Sequence, residues 1–229
     1  MALDPHSVEA QAGLAGNLAG RATDNMTDTA AADIERAEYL VRQAAAAAPR
    51  SPDVRWAKGQ VLRAQNRFAE AIPEYEAVLA ANPNAVRALF TIGQCKLFTG
   101  AIEETIPLLE RAMRLSPHEP RVGVWCHQVG RAHLLQSRTE EAITWFEKAR
   151  NDSPAAPYIH AGLAAAYALN GETDRAAVEL AEARRLSADD RFSSLARLKA
   201  LGYFGVPKIR ALFEATYFVG LRLAGMPEE

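Results

Sequence analysis

From residue 67 to 83 the chain reads RFAEAIPEYEAVLAANP, with Ala71, Tyr75, Val78 and Leu79 at i, i+4, i+7 and i+8. That spacing sets four apolar side chains along one face of a helix beginning near Phe68. Pro83 stops it, because a proline drives the preceding residue, Asn82, out of the α region. Pro73 falls near the start, at about the fourth or fifth helical residue, where a missing N–H costs little.

The same pattern returns 34 residues later in GAIEETIPLLERAMRLSP, where Pro107 answers Pro73 and Pro117 answers Pro83. Upstream, Gly59 and Gly93 are 34 apart, each 24 residues before its closing proline, and Gly130 to Pro154 repeats that gap around Ala142, Phe146 and Ala149. A further unit keeps Ala176, Leu180 and Ala183, with Tyr167 before them and Ala188 at the proline place. Towards the N-terminus, Ala37, Ala44 and Pro49 hold the register, and Pro5 in ALDP closes a unit whose body is missing.

A 34-residue period with a small-residue site, an Ala-x3-aromatic pair and a terminal proline resembles the tetratricopeptide repeat (TPR), a helix–turn–helix unit. The resemblance implies an all-α fold: a right-handed superhelical α-solenoid of TPR helix pairs with a C-terminal helical cap. Residues 1–188 are expected to form the array. It begins with the end of a truncated repeat at 1–5 and continues through about five units, the first with an insertion near 21–30. Residues 189–229 are expected to form capping helices. The early tryptophan of the family is absent, and Arg55, Leu89, Cys126 and His160 stand at its place.

Composition narrows the function classes. A hydrophobic content of 49% over 229 residues suffices for a sizeable elongated core. A formal charge of -2 gives no electrostatic case for nucleic acid or a membrane surface. No apolar run approaches the roughly 18 residues of a membrane helix. Two cysteines, Cys95 and Cys126, make no disulfide framework, which points to a reducing cytoplasm and two buried free thiols. No phosphate-binding, dinucleotide or zinc-protease motif occurs, and Cys126, His127 and His133 lack convergent ligand spacing. No catalytic residue, metal or cofactor is expected. The acidic pairs Glu103-Glu104 and Glu140-Glu141 open second helices, where they complement the helix dipole.

The tail predicts two more helices, about 191–202 and then 207–225 from Pro207 at N1 to Gly225. In the second, Ile209, Leu212, Phe213, Val219 and Leu223 form a stripe expected to seal the last repeat. Tyr217, Phe218 and Leu221 form a second patch, which either packs under the 191–202 helix or meets a sister chain, so that a homodimer through this helix stays open. GYFGVPKIRALFEATYFVGLRLAGMPEE, with GQCKLFTG and GRAHLLQSRTEEAI, resembles the C-terminal TPR region of bacterial signalling proteins that carry a class III adenylate cyclase or a winged-helix domain. This implies a non-catalytic module of a larger regulatory protein. The alternatives are a fragment of a nucleotide cyclase with its active domain upstream, or a dimerisation module.

The TPR resemblance also implies where a protein or peptide partner would sit. The first helix of each unit lines the concave face, with its second, fifth, ninth and twelfth places pointing in. Those places hold Trp56, Gln60 and Arg63, then Arg87, Phe90, Gln94 and Leu97, then His127, Arg131 and Leu134, and finally Tyr158. Aromatics among Arg and Gln suit a protein contact. For Trp56 and Phe90, packing between adjacent first helices is the competing role. A clamp for C-terminal carboxylates would want Lys at the fifth place and Asn at the ninth, so an internal segment or helix is the expected ligand.

Overall fold

The computed structural model describes residues 7–23, 28–200 and 204–229, and among these there is no strand. The all-α class expected from the period is what the chain has. It divides into two compact units, Met1–Lys96 and Leu97–Glu229.

The first unit contains α1 (Val8–Thr23), α2 (Ala30–Ala47), α3 (Pro52–Ala64), α4 (Phe68–Ala81) and most of α5 (Val86–Phe98). Helix α1 packs on α2 and on α3, and α3 packs on α4, so each first helix touches its own partner and the next first helix. Small side chains make this close contact: Ala12, Ala15, Ala19, Ala37, Ala44 and Ala57 are buried with Leu18, Val41, Val54 and Val61. At Gly59 a Cβ would stand 2.6 Å from the Tyr75 ring, so the small-residue site exists to admit that ring. Pro73 is the sixth residue of α4, slightly deeper than expected, and exposed, so water can reach the carbonyl it leaves unpaired. The stretch 24–27 between α1 and α2 and the expected truncated repeat at 1–5 lie outside the described residues.

The second unit holds α6 (Ile102–Leu115), α7 (Val122–Leu135), α8 (Thr139–Asp152), α9 (Pro157–Leu169) and α10 (Thr173–Leu186). It ends with α11 (Leu195–Ala200), α12 (Pro207–Ala215) and α13 (Tyr217–Leu223). Helix α7 pairs with α8 and α9 with α10, while α8 also packs on α9. Phe146 fills the space between α7 and α9: a Cβ would come within 2.7 Å of it at Gly130 and 2.9 Å at Gly162.

Four turns between consecutive helices share one device. Asn66, Gly100, Ser137 and Gly171 all have positive φ, at 59°, 94°, 59° and 81°. At three of these turns the next amide donates back to a carbonyl inside the first helix: Arg67 to Leu62, Arg138 to His133 and Glu172 to Tyr167, at 2.8, 2.9 and 2.9 Å. This is the bond pattern of a helix end closed by a left-handed residue.

The tail departs from the sequence reading in register. Instead of one helix over 207–225, the chain breaks at Thr216 (φ -124°, ψ -77°), whose hydroxyl donates to the Leu212 carbonyl at 2.7 Å. The break resets the phase of the second half. Leu223, expected inward, is 57% exposed, whereas Phe218 and Leu221, of the second patch with Tyr217, are buried in the chain's own core beside Ile209 and Phe213, with α11 against α13. The Val206 amide donates to the Phe98 carbonyl at 3.0 Å, α12 crosses α7, and α13 lies along α9. At Gly220 the two backbones nearly touch: a Cβ there would be 2.3 Å from the Ala165 carbonyl oxygen. The tail thus lies on first helices as well as following the last pair. The expected 191–202 helix is seen as α11, and 201–203 lie outside the described residues.

Candidate partner-binding face

In the first unit, α3 and α5 carry the predicted residues. Trp56 is half-buried with its ring 5.2 Å from Tyr75, and the exposed Arg87 guanidinium lies 5.2 Å from the centre of the Trp56 ring. Arg63 donates to the Gln94 side-chain oxygen at 3.2 Å. Gln60 is buried, with its Oε1 shielded from solvent and without a hydrogen-bond partner. These five side chains form a polar and aromatic cluster held by cation–π and amide contacts. Phe90, at 8% exposure, belongs to the core instead.

In the second unit the predicted set splits. Leu97 and Leu134 are fully buried and join the core that the tail helices close. His127, Arg131 and Tyr158 stay together: the His127 and Tyr158 rings meet edge-on at 4.7 Å, and Arg131 lies 5.1 Å from the Phe98 ring centre. Tyr158 is exposed and Arg131 half-buried. Burial, reinforced by the Arg131 charge, holds His127 well below its ordinary 6.5, so the ring is neutral. Burial also brings Arg131 down to about 10, which leaves it charged at neutral pH.

Two features of this face escaped the sequence reading. The fifth, ninth and twelfth places of the last unit are Ala161, Ala165 and Ala168, all buried, and α13 lies over their helix. Three alanines at groove places, with a glycine at 220, were the available signal. The second feature sits at the missing-tryptophan place. Glu74 is buried and held by Arg55 at 2.8 Å and Lys58 at 2.6 Å. Burial alone would raise its pKa, but the hydrogen bonds from Arg55 and Lys58 outweigh that and hold the carboxyl below its usual range. In the second unit His160 takes the place of Arg55: its Nδ1 lies 2.6 Å from Glu179, its Nε2 lies 2.8 Å from the Pro154 carbonyl, and Arg150 binds the other Glu179 oxygen.

Both cysteines are buried thiols, and burial pushes that of Cys95 up to about 12. Among the described residues no group of three or more His, Cys, Asp or Glu could hold a metal ion. No helix among them is long and apolar enough to cross a membrane.

None of the curated proteins compared matches the chain. The tetratricopeptide repeat family model matches residues 29–76 and 57–120. Among solved structures, PilF of Pseudomonas aeruginosa is similar over 93% of this chain and 92% of its own, with TM-score 0.64 and 17% identity. A thermophilic TPR protein of Thermus thermophilus is similar over 82% of this chain and 98% of its own, with TM-score 0.62 and 18% identity. YrrB, described as a TPR protein with an unusual peptide-binding site, is similar over 86% and 93%, with TM-score 0.57 and 17% identity. Residues 29–120 are therefore similar to tetratricopeptide repeats, and the chain has the α-solenoid fold of solved tetratricopeptide-repeat proteins.

Proposed function

We propose that the chain is a protein-interaction scaffold that takes a segment of a partner protein on the first-helix face of its N-terminal unit. The observation that carries this reading is the cluster of Trp56, Arg87, Arg63, Gln94 and Gln60. It offers an aromatic platform flanked by two guanidinium groups, with a buried amide oxygen that lacks a donor. Such a set suits a segment presenting backbone amides and carbonyls with acidic side chains. YrrB's described peptide site supports a peptide ligand as a use of this fold. The resemblance of the tail supports the narrower reading, in which the chain is the regulatory part of a larger cytoplasmic signalling protein. In that reading residues 1–188 form the array and 189–229 its cap.

The tail changes how much face is on offer. The last repeat's own face is taken by α13, which buries Phe218 and Leu221 there. At roughly 1.5–3 kcal/mol for each fully buried large apolar side chain, Ile209, Phe213, Phe218 and Leu221 make this a lasting contact. A pull-down with the whole chain, read by mass spectrometry, tests the proposal. Trp56→Ala with Arg87→Glu should remove the captured protein while the helical circular dichroism signal and melting temperature hold. Capture that persists in this variant would assign the face another role.

A further inference from the structure

We propose that a cavity beside the end of α10 binds a small organic monoanion, one carboxylate carried on an apolar body. The site stands apart from the first-helix places and rests on none of them. The cavity measures about 680 Å³ and lies between the last turn of α10, the 189–193 turn and residues 225–227. That volume falls within the roughly 300–1,000 Å³ of small-molecule sites. Phe192 and Pro227 give it apolar walls. Gly225 adds bare backbone: its φ is 95°, and a Cβ there would meet nothing within 4 Å. The Leu195 amide donates to the Pro227 carbonyl at 2.9 Å, which ties this wall to α11.

Charge decides what the cavity takes. Arg185, Arg191, Arg197 and Arg222, on the elements that frame it, each hold a carboxylate: Glu182, Asp189, Asp190 and Glu228 in turn. Asp189 and Asp190 line the cavity, yet both are answered, and the Arg191 hydrogen bonds hold the Asp189 carboxyl well below its usual range. Arg184 is different. Its Nε donates to the Phe192 carbonyl at 3.0 Å, and among the described residues no carboxylate pairs with it. That bond fixes the plane of an exposed guanidinium on the cavity wall and leaves its two Nη groups as a fork. Such a fork matches the two oxygens of a carboxylate. The exposed Ser193, also on the wall, has a hydroxyl that can donate a further bond. With Arg191 and Arg197 counted against the two aspartates, the wall carries one net positive charge, which suits a monoanion rather than a dianion.

The test is a titration of the full chain at constant ionic strength, following the amide resonances of Phe192, Ser193 and Gly225 by NMR, with thermal melts alongside. The probes are hexanoate, benzoate and N-acetylleucine (a chain-end carboxylate), with acetate and benzamide as controls. Hexanoate and benzoate should give saturable shifts at these amides and a rise in melting temperature. Acetate lacks the apolar body and benzamide lacks the charge, so each should bind weaker by about tenfold or more. Arg184→Gln should weaken hexanoate by about tenfold or more, and Ser193→Ala, which leaves every charge pair in place, by about threefold. Stronger binding of N-acetylleucine than of hexanoate would identify a chain end as the natural source; the reverse would identify a free acid. No saturable shift at these amides, a control that binds as tightly as its parent probe, or unchanged binding in Arg184→Gln overturns the site. Trp56→Ala should leave the titration unchanged, which separates this outcome from failure of the partner face.

Discussion

Arg55 with Glu74 and His160 with Glu179 occupy the same two places of their repeats, each pair 19 residues apart. The two carboxylates are equally buried, with side chains 8% and 9% exposed. Their partners differ. Glu74 is reached from the rim by Arg55 and Lys58, at 35% and 46% exposure, so either can hold it when the other is lost. Glu179 is held by Arg150, at 31% exposure, and by a ring that is itself 7% exposed and whose other nitrogen is committed to the Pro154 carbonyl. Where the family places a tryptophan, these two pairs place a polar side chain that reaches a buried glutamate of the following helix. Each carboxylate has one arginine at the rim; the second partner is an exposed lysine in one and a buried ring in the other.

The comparison breaks most directly by deleting one partner of the carboxylate from each site. His160→Ala leaves Glu179 buried with Arg150 alone and the Pro154 carbonyl without a donor, so the second unit should lose about 3 kcal/mol. Arg55→Ala leaves Lys58 in place and should cost about 1 kcal/mol or less. Urea melts check this, with Trp125 and Trp145 reporting the second unit in a Trp56→Phe background and Trp56 reporting the first. Equal losses would mean that burial of the carboxylate's partner is not what separates the sites.

Gly220→Val sharpens the contrast by loading the second unit alone. The added side chain meets the Ala165 backbone, which cannot move as a flexible side chain would. Overpacking of this kind costs about 1–3 kcal/mol, and the Trp56 signal should be unaffected. If Trp56 reports the same loss, the two units do not unfold separately.

The smallest effect is on pH response. His127 is held neutral below 6.5 in the folded chain, while the unfolded chain takes up a proton there. The sign follows: the second unit loses stability as pH falls below about 6.5, by at most about 1.4 kcal/mol per pH unit from this group. The described part of the first unit has no histidine. Its Glu74, lowered from 4.5, keeps its contribution until pH falls below that value. His127→Asn should flatten the slope between pH 7 and 5 in the second unit's melts, and an unchanged slope would place the titrating group elsewhere.

The repeats were legible because each closing proline and each small residue has one physical job, so Pro83, Pro117 and Pro154 fix the register and Gly59 and Gly130 announce their aromatic partners. The tail was not. Nothing in helix propensity marks Thr216 as a break, and a wheel drawn through it carries the wrong phase to Leu223. The site was legible as a set of places and illegible as a surface. Phe90, Leu97 and Leu134 hold groove places yet are buried, because a repeat register gives direction from the helix axis and not what another segment lays over it. The Arg55 and His160 pairings needed both helices of a unit to be compared side by side, which single-helix stripes do not prompt.

Helix α9 belongs to the last pair of the array, where repeat proteins ordinarily fray. Here it is enclosed by α8, α10 and α13, and every residue from Ile159 to Ala168 is buried. Local opening requires exposed backbone and sparse packing, and α9 offers neither. Its amides should therefore be the slowest in the second unit to exchange with deuterium, opening only when the whole unit opens. The terminal repeat becomes the kinetic centre of its half of the chain.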